Sequence, residues 1–262
     1  MSYTIFYSWQ SDTERAINRD FIRKALEGAV QHLSEAGGVE DAPRVDSGME
    51  GVAGSPDVAA VMFDKIRDAG IFVGDLTLVG NIATASDHPK RVPNPNVLLE
   101  LGYAAAMLGW GRVIGVMNEH FGSAMDQPFD VRNRRFPIRY RLAPDATADR
   151  DAQLKALTHT LQVALQTAVD AEYRAATAAV SRLDVGCRSL IGAFGTRPRF
   201  SEPNPNAFSL GGALDTPRFM AATARLLDLG IIRAVRDTGS GGFEYEWTFL
   251  GRHVLRQIGA GQ

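Results

Sequence analysis

The chain is poor in the residues that cross-link a fold or hold an ion. Its 262 residues include one cysteine, Cys187, which excludes an internal disulfide and a cysteine-based zinc cluster and fits a reducing compartment. The five histidines (His32, His88, His120, His159 and His253) share no ligand spacing, so no metal site is expected. No apolar run approaches the ~18 residues of a membrane span. A net charge of -2 exerts no strong pull on nucleic acid or an anionic membrane. The glycine-rich stretch 47–54 lacks the Lys-Ser/Thr of a P-loop and does not follow the GxGxxG pattern, so neither phosphate cradle is expected. Residues 1–6 enter a strand pattern directly, so no signal peptide is expected and the cytoplasm is the expected setting.

What is present is the material of a core. Hydrophobic residues make up 45% and charged residues 22%, which suits one large domain or two small ones. Residues 3–8 are aromatic and β-branched, a strand, followed by the polar loop Trp9-Gln10-Ser11-Asp12. A helix is expected over 15–33, with Phe21, Ile22, Ala25, Leu26, Ala29 and Leu33 on one face. A short strand over 43–46 ends at Asp46. After the glycine-rich loop, Ser55 and Pro56 read as the cap and first position of a helix whose apolar face is Val58, Val61, Met62 and Ile66. Residues 71–76 form an apolar run of the kind buried on both sides of a parallel sheet, with Asp75 near its end.

A Pro/Asn turn, Pro93-Asn94-Pro95-Asn96, then leads into a helix with Asn96 as the expected N-cap. Val97, Leu98, Leu101, Ala104, Ala105 and Leu108 make its apolar stripe. Glu100 falls roughly 60° from Val97, on the shoulder of that stripe. Strands over 112–117 and 135–140 follow, the second an edge candidate because of Pro137. Alternating strands and helices predict a doubly wound α/β sheet. Ligands of such sheets bind beyond the carboxyl ends of the strands, where Trp9, Asp46, Asp75 and the 93–96 turn converge.

The last part reads differently. An alanine-rich helix over 149–176 is a connector or an association surface. Helices over 182–194 and 216–229, a proline-bearing loop over 196–205, two strands around the glycine-rich tip 237–242 and a closing helix over 250–258 follow. The segments Leu226-Leu227-Asp228-Leu229-Gly230-Ile231-Ile232 and Trp247-Thr248-Phe249-Leu250-Gly251-Arg252 resemble the recognition-helix and wing exits of a winged-helix module. The resemblance implies a DNA-binding regulator as one reading. The helix, however, offers only Arg218 and Arg225, and residues 177–262 carry a net charge of only +3. Protein or signal sensing is therefore the expected role, with nucleic acid the other possibility. The expected layout is a domain over 1–145, a connecting helix over 146–176 and a second domain over 177–262.

Three segments of the first domain carry a further resemblance: Ile5-Phe6-Tyr7-Ser8-Trp9-Gln10-Ser11-Asp12, Gly54-Ser55-Pro56 through Asp75-Leu76-Thr77, and Asn94-Pro95-Asn96-Val97 through Glu100-Leu101-Gly102-Tyr103-Ala104. In their order and distances they resemble the prokaryotic TIR and TIR-like nucleotide-binding family. The resemblance implies a flavodoxin-like sheet whose cleft takes NAD as a substrate, with no resident cofactor. It implies an enzyme that cleaves the nicotinamide–ribose bond to linear or cyclic ADP-ribose, in antiphage defence, and that self-associates through this domain. On that reading Glu100 is catalytic. Phe6, Ser8, Trp9, Asp46, Asp75 and Asn96 would contact the nucleotide, and the glycine-rich loop would cover the site. A nucleotide-binding scaffold without turnover is the alternative.

Overall fold

The computed structural model describes residues 3–35, 43–48, 51, 54, 57–83, 89–134, 137–146, 148–201, 216–237 and 243–259. It divides into two compact units, residues 1–168 and 169–262.

The first unit is α/β. Strand β1 (Thr4–Ser8) is followed by a 3-10 turn and helix α1 (Arg19–Glu35). The expected helix start at Arg15 is thus displaced. At Asn18 the backbone leaves helical geometry (φ -128°, ψ -90°), because the fully buried Asn18 side chain is spent on the neighbouring strand ends. The six apolar residues expected on one face of α1 are its buried face. β2 (Arg44–Asp46) leads to α2 (Val58–Asp68). Here the cap is Asp57, whose carboxylate accepts from the Ala59 and Ala60 N–H groups. Ser55 and Pro56, expected to start this helix, lie outside the described residues. Val58 stays 56% exposed, while Ile66 is buried and Met62 and Phe63 pack beside it.

β3 (Ile71–Asp75) is buried at every position, as its apolar run requires. Between it and the next helix stands a hairpin the sequence did not announce: β4 (Leu78–Ile82) pairs antiparallel with β5 (Lys90–Pro93). Pro93, read as part of a turn, closes β5. Helix α3 (Pro95–Leu108) follows. Its cap is Asn94 rather than Asn96. The Asn94 side chain accepts from the N–H groups of Asn96 and Val97 at 2.8 and 3.3 Å, and Pro95 takes the first helical position, where no N–H is needed. β6 (Val113–Asn118), the single-turn helix α4 (Phe129–Arg132) and β7 (Ile138–Tyr140) complete the sheet.

The sheet is five-stranded, ordered β2-β1-β3-β6-β7, with every pair parallel. Counted within the sheet this is the order 2-1-3-4-5, compatible with a flavodoxin-like fold. β7 sits at the edge, where its proline-bearing approach is tolerated. Phe6, Phe72, Leu76, Val97, Leu101 and Ala104 form the core under α3.

Helix α5 (Arg150–Val180) contains the division between the units. Its first part packs on α1, where a Cβ at Gly28 would meet Thr158 Cγ2 at 3.2 Å. In the second unit, α6 (Val185–Phe194) is capped by Asp184. β8 (Arg199–Ser201) precedes α7 (Thr216–Asp228), and then come β9 (Ile232–Asp237), β10 (Phe243–Trp247) and α8 (Phe249–Gln257). The strands form one antiparallel sheet, β8-β10-β9. β8 falls where a loop was expected. β10 stops at Trp247 because Thr248 turns to cap α8, accepting from the Gly251 N–H at 3.0 Å. Of the expected glycine-rich tip, Asp237 ends β9 and residues 238–242 lie outside the described residues. Phe194, Phe200, Phe219, Tyr245 and Trp247 make an aromatic core. Cys187 is buried there, and burial pushes its thiol up to about 11. Among the described residues no helix is long and apolar enough to cross a membrane.

Candidate active site

In the order 2-1-3-4-5 the direction of winding reverses between β1 and β3, and the crevice beyond their carboxyl ends is where such sheets take ligands. Ser8 ends β1 and Asp75 ends β3. The same edge receives the N-terminus of α3. There Asn94 Nδ2 donates to Asp12 Oδ2 at 2.5 Å, tying the loop after β1 to the helix cap.

Glu100 lies in the second turn of α3 and is half-buried, because Val97, Leu101 and Ala104 draw its helix onto the Phe6–Phe72 layer. Burial pushes its carboxyl above the ordinary value, and the nearby Ser8 hydroxyl opposes that by favouring the charged form. Ser8 is nevertheless without a formed hydrogen bond, although it is only 1% exposed. Gln10 Oε1 and Thr13 Oγ1, in the loop that follows, are also buried and unpaired. Buried polar atoms are nearly always satisfied, so three such atoms within 8–13 mark a place short of partners.

The other expected residues fall into different settings. Trp9 is half-buried, with the Arg19 guanidinium 3.6 Å from its ring centroid and Gly48 against its indole edge. Asp46 is bound to Lys65 of α2 at 3.0 Å and to Arg44 at 3.6 Å, so its charge is already matched. Phe6 is fully buried and stacked on Phe72 with centroids 6.1 Å apart, which leaves no face for a ligand. Asn96 is exposed, and its backbone serves the Asn94 cap. Asp75 is fully buried. It accepts from the Thr77 N–H at 3.0 Å and from Asn18 Nδ2 at 3.5 Å. Desolvation raises its pKa, and the bonds from Thr77, Asn18 and Gln10 pull it back. Ser8 and Glu100 are therefore the pair brought together. Asp75 organises the floor beneath the strand ends.

That floor holds residues the sequence did not single out. Thr77 Oγ1 accepts from Asn18 Nδ2 at 2.8 Å and from the Asn118 N–H at 3.0 Å. Asn118, the last residue of β6, binds Leu142 twice: it donates to the carbonyl at 2.8 Å and accepts from the N–H at 3.0 Å. Gln10 Nε2 donates to the Thr77 carbonyl at 3.1 Å. A polar residue closing an apolar strand is the signal that Ser8, Asp75 and Asn118 share, and it could have exposed Asn118.

Two of the cavities lined by described residues of this unit leave Glu100 out of their walls. One of about 250 Å³ is lined by Leu76, Leu101, Trp110, Val113, Arg134 and Pro137. The other, about 640 Å³, lies between the β4–β5 hairpin and α4. Among the described residues no group of three or more His, Cys, Asp or Glu could hold a metal ion. No protein-family model matches the chain, and no curated protein matches it.

Proposed function

We propose that the first unit cleaves the bond between nicotinamide and ribose in NAD, with Glu100 as the catalytic carboxylate. The observation that carries this reading is the half-buried Glu100 carboxyl, raised by burial and set beside the unpaired Ser8 hydroxyl at the crevice of the sheet. The resemblance of three segments to TIR domains supports it from the sequence side.

The chemistry needs little else. As the C1′–N bond breaks, its electron pair goes to the nicotinamide ring, which leaves neutral and needs no general acid. The ribose acquires oxocarbenium character, which an ionised Glu100 stabilises or captures covalently. Water then attacks C1′ and loses a proton, giving ADP-ribose. Attack by the adenine ring instead gives the cyclic product. Ser8, Gln10 and Thr13 hold unpaired polar atoms that ribose hydroxyls can satisfy.

For the second unit, the three-stranded sheet with α6, α7 and α8 supports a winged-helix reading. Its arginines are partly spent internally, since both Arg199 and Arg233 pair with Glu246. This favours a protein- or signal-sensing role over phosphate binding. A salt-dependent complex with duplex DNA would reverse that assignment.

Incubation of NAD with concentrated protein tests the catalytic reading, with chromatography of free nicotinamide as the readout. Release by the wild type and none by Glu100→Ala is expected. No release at any protein concentration, with NAD still bound, would leave a nucleotide-binding scaffold. Release retained by Glu100→Ala would remove Glu100 from the mechanism.

A further inference from the structure

We propose that the groove between the β4–β5 hairpin and α4 is a second binding site, separate from Glu100, for a nucleoside phosphate. Its volume, about 640 Å³, falls within the ~300–1,000 Å³ of small-molecule sites. Two chemistries meet in its walls. Ile82, Met125 and Phe129 form an apolar platform that is 52%, 60% and 65% exposed. Lys90, Arg91 and Arg132 supply three positive charges around it.

Those charges are held ready rather than consumed. Among the described residues no ion pair engages Lys90, Arg91 or Arg132. The one carboxylate in the lining, Asp126, is occupied by its own turn, accepting from the Ser123 N–H at 3.1 Å. Arg132 donates to the Met125 carbonyl at 3.2 Å, which fixes its head 5.7 Å from the centroid of the Phe129 ring. Arg91 lies against Gly122, where a Cβ would approach its Nη1 to 2.6 Å. Gly122 also has φ +146°, a conformation that favours glycine, so the space that admits Arg91 is built into the backbone.

The pairing selects the ligand class. A planar base stacks on an exposed aromatic ring with Met125 and Ile82 beside it. Guanidinium groups and a lysine suit the phosphate oxygens. A free inorganic anion leaves the apolar platform unused, and an uncharged aromatic leaves the cations unused. The two halves together fit a molecule that carries both.

Isothermal titration of the full chain with ADP, adenosine and pyrophosphate tests the site. ADP should bind, with adenosine and pyrophosphate each at least about tenfold weaker. The double variant Lys90→Gln, Arg132→Gln should weaken ADP by about tenfold or more, and Phe129→Ala by about fivefold. These side chains lie at the surface, and thermal melts of each variant confirm that folding is kept. Several results would overturn the proposal: no ADP binding at millimolar concentration, ADP binding indifferent to the groove variants, or an acidic peptide or single-stranded oligonucleotide displacing ADP from the groove as the tighter ligand.

Discussion

At the scale of the residue, Glu100 and Asn118 show two uses of a polar group among apolar ones. Glu100 is left short of partners, and burial holds its proton to higher pH than an ordinary carboxyl keeps it. Between the ordinary and the raised value the folded chain therefore binds more protons than the unfolded one. Stability tied to this group is present below the ordinary value and lost as pH rises through the raised one. Glu100→Gln should then melt higher than the wild type near neutral pH, as calorimetry of the two proteins can read. Near pH ~4 the difference should vanish, because the wild-type carboxyl is protonated there too. The same substitution should end nicotinamide release. In the wild type, release should rise with pH through a midpoint above the ordinary carboxylate range. A variant that melts lower at neutral pH would show that the carboxylate is held by partners rather than strained. Asn118 is the opposite case. Its amide satisfies both backbone groups of the fully buried Leu142. Asn118→Ala should cost about 2–6 kcal/mol in denaturant unfolding, since each of the two orphaned buried groups costs ~1–3 kcal/mol.

At the scale of the element, legibility followed the range of the forces that fix each one. β1, β3 and the buried face of α1 could be read because local pattern and burial agree along the chain. Glu100 could be placed on the shoulder of α3 for the same reason. The hairpin β4–β5 could not: Lys90 and Arg91 look like a loop, and only pairing with 78–82 makes them a strand. β8 is likewise three residues whose strand character comes from β10. The cap of α3 moved from Asn96 to Asn94 because both are competent caps, and Pro95 decides between them. In the candidate site, the Asn18–Thr77–Asn118 floor joins residues far apart in sequence, so no local window contains it. α8 shows how tight such long-range packing becomes. A Cβ on Gly251 would overlap the Ile231 carbonyl oxygen, which already accepts from the Thr248 N–H at 3.0 Å. Gly251→Ala should push α8 off the turn before β9 and cost about 3 kcal/mol or more, the upper end of overpacking. Hydrogen exchange should show the loss in residues 169–262, with protection of the five-stranded sheet unchanged. Unchanged protection in β9 and β10 would mean the turn yields without cost.

At the scale of the whole molecule, the open question is how much of α5 the first unit needs. Sequence grammar ends that unit near residue 145, before the helix. Its packing argues for more. Leu157, Leu161 and Leu165 are buried, and the first-unit part of α5 runs to Ala168. Arg150 stands 5.6 Å from the Phe21 ring centroid, and Gly28 of α1 makes room for Thr158. Burying one leucine contributes about 1.5–3 kcal/mol, an upper estimate because unfolded chains are themselves partly compact. Three leucines thus approach the ~5–15 kcal/mol that holds a whole domain folded. A fragment of residues 1–168 should therefore give a cooperative melt and keep the NAD chemistry proposed for Glu100. A fragment of residues 1–145 should aggregate or melt without a cooperative transition, because it loses the buried Leu157, Leu161 and Leu165 and exposes the surface they cover. Parallel calorimetry of the two decides the matter. Equal melting temperatures would mean that α5 lies on the first unit without supporting it.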